Sequence, residues 1–317
     1  MILIISNSKD KHVDFVVARL QERNIVYWRF DTDSFPQRTA IHLGFNDGVL
    51  ISKLLTHEGE IDLQNVTSVW YRKPVSPVID DVIMNPVARE FSELEAKTSL
   101  EYLWDMIPGK WVNDIHAMRR ANNRFRQWQI AHELGFRTPM TVLTNSPMTA
   151  HTFVAPVGKK IALKVLYQTV VANGTDICAM YTRLCDDAVI AKLDDIRFTP
   201  SILQEYVEKR VEHRVTVIGD QVFDCIIESQ ATKKTSVDWR RYDLKNTPHR
   251  IGKLPDSVTQ RCLAITQKLG LLFGGIDLIE TPEGEYVFLE INSNPQWAWI
   301  EVMTGIPLCD ALIELLT

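Results

Sequence analysis

At 317 residues the chain is too long for one compact core and suits two or three domains. Its 45% hydrophobic and 24% charged content is that of a soluble globular protein, and a formal net charge of −5 excludes the broad basic footprint of a nucleic-acid partner. Cys178, Cys185, Cys225, Cys262 and Cys309 are odd in number and lack any Cys-x-x-Cys spacing, which argues against a disulfide framework or a zinc site and for reduced thiols.

Met1-Ile2-Leu3-Ile4-Ile5 runs straight into polar Ser6-Asn7-Ser8 with no basic stretch before it. It is too short for a signal peptide or a membrane span, so no membrane association and a cytoplasmic setting are expected. Ile2 to Ile5 reads as a buried strand, and His12 to Arg23 as a helix with Val13, Val16, Val17 and Leu20 on one stripe. Ile25 to Phe30 supplies the next strand, which makes the start of a small α/β domain over residues 1–112. A hairpin-like region spans Ile41 to Leu63, and Ser68-Val69-Trp70-Tyr71-Arg72-Lys73-Pro74 reads as a strand running into a Pro-stopped loop. Glu90 to Trp104 is an amphipathic helix carrying Phe91, Leu94, Leu100, Leu103 and Trp104. No Gly-x-Gly-x-x-Gly follows the first strand, so no nucleotide site is inferred in this domain.

Pro108-Gly109 is a natural break, after which residues 113–200 and 201–317 read as two further subdomains. Asn122 to Leu134 is a helix stopped by Gly135; Asn123-Arg124 opens it and Leu134-Gly135-Phe136-Arg137-Thr138-Pro139 follows it. Arg124 is either a solvated surface cation or a planar fork for a phosphate. Lys160 to Leu166 is a strand in which Lys164 stands between Leu163 and Val165, an expensive place for an ammonium unless an anion meets it or the strand is an exposed edge. Gln168 to Asp176 reads as a loop able to cover that anion, and Cys185 to Ile196 as a short helix whose Asp194 and Asp195 face a partner.

Ser201 to Lys209 leads into the strand Glu212-His213-Arg214-Val215-Thr216-Val217-Ile218. Arg214 lies on the same face as Glu212. Lys233-Lys234 and Asp238-Trp239-Arg240-Arg241-Tyr242-Asp243 form a basic and aromatic loop, substrate-binding or merely solvated. Gly274 to Glu280 and Glu285 to Asn292 then flank Thr281-Pro282-Glu283-Gly284, a hairpin turn. Strict alternation sends Val287, Leu289 and Ile291 into the core and puts Tyr286, Phe288, Glu290 and Asn292 on the other face. Asp277 is then expected opposite Phe288, one diagonal step from Glu290. Two carboxylates and an amide converging on a half-buried sheet either stay solvated or hold a hard divalent cation such as Mg²⁺ or Mn²⁺.

Gly-Ile-Asp-Leu at 275–278 with Phe-Leu-Glu-Ile-Asn-x-Asn-Pro at 288–295 resembles the metal-binding hairpin of the ATP-grasp ligases. Asn123-Arg124 with the Leu-Gly-x-x-x-Pro ending is similar to that fold's first ligase helix, although Lys is usual where Arg124 stands. The Trp-Tyr-Arg-Lys-Pro at 70–74, the Tyr-Thr at 181, the Asp-Trp-Arg at 238 and Gln-Trp-x-Trp-Ile-Glu at 296–301 sharpen the likeness to the maturases of microviridin-type peptides, the graspetide synthetases; Ser293 departs from the frequent Pro.

The resemblance implies an α/β (α+β) ATP-grasp fold with an N-terminal pre-ATP-grasp domain, and ATP with two Mg²⁺ ions as cofactors. It implies Asp277, Glu290 and Asn292 as metal ligands, and Arg124 and Lys164 on phosphates. Backbone around Glu205, Tyr206 and Val207 would bind adenine, Glu212, seven positions after Glu205, the ribose, and Arg214 the γ-phosphate or an acyl-phosphate. The implied reaction is macrocyclisation of a ribosomal precursor peptide with a leader: an Asp or Glu side chain is activated as an acyl-phosphate and captured by a Ser or Thr hydroxyl or a Lys amine. Asp194 and Asp195 are expected leader contacts, Arg240 and Arg241 substrate contacts, and a homodimer the assembly. Two alternatives stand beside it: a related ligase adding amino acids to a peptide or protein, and a catalytically silent peptide-binding module.

Overall fold

The computed structural model describes all residues except 58, 156–159, 167–169, 174–175, 180–181, 233–234 and 240–245, together with the backbone alone of 170–173 and 176–179.

The first strand, Ile2–Ser6, lies at the centre of a parallel sheet, with Tyr27–Asp31 on one side and Ser68–Tyr71 then Lys110–Val112 on the other. Its continuous apolar run follows from burial on both faces. Ile2 and Ile4 pack with Val13, Val16 and Leu20 of helix Lys11–Glu22, while Leu3 and Ile5 pack with Leu100, Leu103 and Trp104 of helix Pro86–Asp105. Both helices start on a side chain that accepts from the first turn: Asp10 from the His12 N–H, and Asn85, just before Pro86, from Val87 and Ala88. The region expected as a hairpin is a three-stranded antiparallel sheet, Thr39–Asn46, Val49–Thr56 and Gly59–Asp62.

The central sheet runs Arg183–Leu184, Ile161–Lys164, Ser201–Glu205, Thr141–Thr144, all antiparallel. Two expectations are corrected beside it. The described parts of 168–176 contribute to a β-hairpin, Val170–Asn173 with Asp176–Ala179, rather than to a loop, consistent with the β-branched Val170, Val171 and Ile177. The single helix expected from Cys185 to Ile196 is instead a turn of helix, Asp187–Ile190, and a 3₁₀ segment, Leu193–Phe198. Asp186 accepts from the Val189 N–H, so its side chain fixes a helix start there and stops one from running through it.

The last sheet is antiparallel in the order His249–Ile251, Gln221–Ile227, Val211–Ile218, Phe273–Glu280, Tyr286–Asn292. Helix Asp256–Lys268 covers one face through Val258, Cys262 and Ile265, which pack with Val215, Val217, Ile276 and Ile291. Helix Leu308–Leu316 is apolar on nearly every side because it is sandwiched: Leu308, Leu312 and Ile313 share one core with Ile4 and Val16 of the first sheet and Phe273 of the last.

Two buried polar side chains fasten the first part to the last. Asn113 donates to the carbonyls of Phe273 and Ser293 at 2.6 and 2.7 Å, and its Oδ1 accepts from the N–H groups of Leu272 and Phe273 at 2.7 and 2.8 Å. Arg72, fully buried, donates to the Pro295 carbonyl at 2.9 Å and to Asn294 Oδ1, with Asp10 3.4 Å from its Nε. Burial pulls the Arg72 guanidinium down to about 10, opposed by the Asp10 charge.

Candidate active site

The hairpin turn closes as the sequence requires, with Gly284 at φ +83° and the Thr281 N–H bonded to the Glu285 carbonyl at 2.9 Å. The register differs from strict alternation. Ile276 pairs with Ile291 and Asp277 with Glu290, but Leu278 pairs with Phe288, which leaves Leu289 as the extra residue of a bulge. Asp277 therefore faces Glu290 directly and not Phe288. The bulge also exchanges faces on the turn side of it. Phe288 is fully buried in the core, its ring 5.7 Å from that of Phe136, while Val287 and Leu289 join Val207 and Ile279 in a small apolar cluster beside the carboxylates.

Tyr286–Asn292 is an edge strand, and a helix occupies its open edge. Gln127, on helix Arg124–Glu133, donates to the Ile291 carbonyl at 2.9 Å and accepts from the Ile291 N–H at 3.0 Å. Trp128 Nε1 donates to the Leu289 carbonyl at 2.7 Å, and the Phe288 N–H donates to the Arg137 carbonyl at 2.9 Å. Two side chains and one backbone carbonyl thus supply the partners that a further strand would have supplied, and hold the bulge in place.

On the adjoining strand Arg214 pairs with Asp277 in register and donates to its Oδ1 at 2.8 Å; the two residues are 5% and 7% exposed. Gly275 makes room for this, since a Cβ there would stand 2.6 Å from Arg214 Nη2 and from Pro295 Cβ. Glu212, two residues earlier on the same face, accepts from Lys209 Nζ at 2.7 Å, and that ammonium also donates to the Val237 carbonyl at 3.1 Å. Arg124 reaches Glu290 at 3.0 Å and donates to the Val165 carbonyl at 2.9 Å.

The carboxylates of Asp277, Glu290 and Glu212 line a cleft between the central and last sheets, with Arg214 and Arg124 bonded to the first two. Its walls include Lys164 and Ala162 of the central sheet, Glu205, Tyr206 and Val207 of the connecting segment, Glu212 and Lys209, and Asp277, Leu289 and Glu290 of the hairpin. Strand alternation accounts for Lys164: it and Ala162 face the cleft, while Leu163 joins the core behind. Glu205 is held at the rim, accepting from Arg137 at 3.2 Å and from the Met140 N–H at 3.1 Å. Asn292 is two residues beyond Glu290 along the strand, half-buried and paired with Gly275.

Asp194 and Asp195 lie elsewhere. They belong to the 3₁₀ segment behind the central sheet, where Asp194 sits 2.8 Å from His151 Nε2 and Asp195 lines a separate groove with Leu163, Val189 and Ile196. Arg240 and Arg241 fall outside the described residues. Sequence reasoning missed Lys209, Gln127, Arg72 and Asn113. Lys209 had a legible signal, a cation three positions before Glu212. The other three bond to groups roughly 160 to 220 residues away, which no local pattern contains.

The donor set of Asp277, Glu290 and Asn292 is all oxygen, and its two carboxylates are cross-strand neighbours, so it suits a hard cation rather than zinc. A guanidinium on one oxygen of each carboxylate does not exhaust its acceptor capacity.

Residues 1–119 match the MvdD pre-ATP grasp domain family, and residues 121–316 match the RimK-like ATP-grasp domain family. Among curated proteins the chain is similar to a probable alpha-L-glutamate ligase of Enterobacter sp. (strain 638), 28% identical over 67% of this chain and 68% of the relative. Among solved structures it is similar to macrocyclase MdnC bound with precursor peptide MdnA from Microcystis aeruginosa MRC, at TM-score 0.87 and 26% identity over 99% of this chain and 98% of that one. It is also similar to a Chryseobacterium gregarium RiPP-associated ATP-grasp ligase in complex with ADP and a leader and core peptide, at TM-score 0.92 and 25% identity over 99% and 96% of the two chains.

Proposed function

This chain belongs to the RimK-like ATP-grasp family, and on that premise we propose that it is an ATP-dependent ligase that closes rings in a ribosomally made precursor peptide. The γ-phosphoryl of ATP passes to a side-chain carboxylate of the peptide, releasing ADP. A Ser or Thr hydroxyl, or a Lys amine, then attacks the activated carbonyl; phosphate leaves, the nucleophile gives up its proton, and the peptide is lighter by one water for each ester or amide formed. Both reacting groups belong to one bound chain, which supplies proximity.

One observation carries this reading. Asp277 and Glu290 face each other across the hairpin, Arg214 is bonded to Asp277, and Lys164 faces the same cleft from the opposing sheet. Cations and paired carboxylates around one cleft are what transfer of a charged phosphoryl group needs. Lys164 and Arg124 neutralise phosphate oxygens, and Arg214 stabilises the charge on the transferring group. The backbone of Glu205, Tyr206 and Val207 takes the adenine edge and Glu212 the ribose hydroxyls. Asp277, Glu290 and Asn292 would hold two magnesium ions, which would supply positive charge to offset that of the phosphates. In this reading residues 1–112 form the pre-ATP-grasp domain, and the nucleotide lies between 113–200 and 201–317.

The leader binds along Asp194 and Asp195, and Arg240 and Arg241 contact the core peptide. The working unit is a homodimer in the cytoplasm. No helix among the described residues is long and apolar enough to cross a membrane, and Cys185, Cys225, Cys262 and Cys309 are free thiols, which supports a reducing compartment.

The test is the intact mass of a candidate precursor after incubation with ATP and Mg²⁺. Loss of one water per ring, absent with Asp277→Ala or Glu290→Ala, is the expected result. An unchanged peptide together with free glutamate consumed in step with ATP would instead support amino-acid addition, the reading favoured by the similarity to probable alpha-L-glutamate ligases.

A further inference from the structure

A second cleft opens where the hairpin strand leaves its sheet. It measures about 640 Å³ and lies between the first part of the chain and the metal-ligand end of the hairpin. Asn292, Ser293 and Asn294 form one wall, Tyr71, Lys73 and Val75 the other, and Asn7 and Asn122 contribute amides. Ile291 is turned into the core, so Glu290 and Asn292 share the outward face, and this cleft continues the line of proposed metal ligands past Asn292.

Lys73 is the cation of that cleft, and its surroundings leave it for a ligand. It is half-buried, and none of the described residues is ion-paired with it. Arg72 beside it is committed to Asn294 and Pro295, and Asp10 is committed to Arg72 and to the Ser6 hydroxyl at 3.2 Å. Burial and the Arg72 charge push the Lys73 ammonium down, the Asp10 charge opposes them only in part, and an incoming anion acts in the same direction as Asp10. Its backbone is fixed: Asn7 donates to the Lys73 carbonyl at 2.6 Å, and Thr32 accepts from the Val75 N–H at 2.9 Å and donates to the Val75 carbonyl at 2.7 Å. A fixed loop therefore presents a cation that forms no close ion pair among the described residues, on the far side of Asn292 from the proposed nucleotide cleft. A cleft this size admits a peptide segment and more than a water.

Resting on the proposed ligase reading, we propose that Lys73 binds the acidic side chain of the peptide that is to be activated, pairing with its carboxylate and aiming it past Asn292 toward the γ-phosphate. The first part of the chain thereby contributes a substrate-recognition residue of its own, and recognition is of charge, since the amides around it suit oxygen acceptors and the ammonium selects an anion.

The experiment compares binding of two labelled peptides, in the presence of ADP and Mg²⁺: the acidic candidate precursor and the same peptide with every Asp and Glu changed to Asn and Gln. The full-length enzyme is to prefer the acidic peptide by about tenfold, the scale of one charge-assisted hydrogen bond. Lys73→Met is to abolish that preference with ADP affinity unchanged, and Lys73→Arg is to restore part of it. A preference that survives in Lys73→Met, or its absence from the unmodified enzyme, overturns the inference. If the preference depends on Lys73 but no peptide ever loses water, the carboxylate site stands and the ring-closing reading falls.

Discussion

Arg214 and Asp277 are register partners on neighbouring strands, bonded at 2.8 Å and almost wholly buried. Each charge is tolerable there because of the other. Asp277→Ala leaves a buried guanidinium uncompensated and is expected to cost about 3 kcal/mol of folding stability. Urea unfolding measures this, and peptide-dependent ADP release is to disappear in the same variant. Asp277→Asn, which keeps an acceptor for Arg214, is to recover stability without recovering turnover. Equal losses of stability in the two variants would contradict this.

Gln127 gives the edge strand two bonds, both to Ile291, and a third to the Ala121 carbonyl at 2.7 Å. Gln127→Leu keeps the bulk and strands a buried N–H and C=O on Ile291, at a cost of about 1 to 3 kcal/mol. Because Ile291 stands between Glu290 and Asn292, the Mg²⁺ concentration for half-maximal ADP release is to rise as well. A change in melting temperature with no change in Mg²⁺ dependence would separate strand support from the ligand set.

His12 is half-buried against Trp297, and its Nδ1 accepts from the Ala298 N–H at 3.3 Å. Burial, followed by the Arg72 charge, lowers its pKa from 6.5 to about 4. As pH falls through 6.5 the unfolded chain takes up a proton that the folded protein refuses, so stability declines down to about pH 4 and then levels. The full loss is about 3 kcal/mol. His12→Asn, which retains an acceptor and cannot titrate, is to flatten this part of the stability profile in denaturant titrations at pH 7 and pH 5.

Asp194 and Asp195 sit behind the central sheet, beside a groove distinct from the cleft that holds Lys164, Asp277 and Glu290. Reversing both to Lys is expected to weaken a leader peptide about tenfold by fluorescence anisotropy while leaving ADP affinity intact. Unchanged leader binding would remove them from the interface.

How far the site can be read from the residues depends on the range of the interactions that build it. Gly-Ile-Asp-Leu and Phe-Leu-Glu-Ile-Asn reveal the hairpin and its carboxylates because strand alternation is local. The bulge at Leu289 is not legible, since period two has no term for an inserted residue; its consequences, Phe288 inward and Glu290 squarely opposite Asp277, follow from tertiary packing against Phe136 and from the Trp128 indole. Lys164 was legible as a cation in an apolar strand. Arg72 belongs to the Trp-Tyr-Arg-Lys-Pro motif, yet its task, holding the loop at 294–296, depends on a fold that brings that loop beside the first sheet.

Asn113 carries a final consequence. A single amide bridges the beginning of one hairpin strand, at Leu272 and Phe273, and the end of the other, at Ser293, and it does so from the tip of the first sheet. Neither strand end can fray without breaking contacts made by a residue of the other sheet, and the sandwiched C-terminal helix shares its core with both. The two halves are thus expected to behave thermodynamically as one cooperative unit: the ligase part deprived of the first sheet would lose the clasp on its own carboxylate-bearing hairpin, and intact protein would unfold in one transition rather than two.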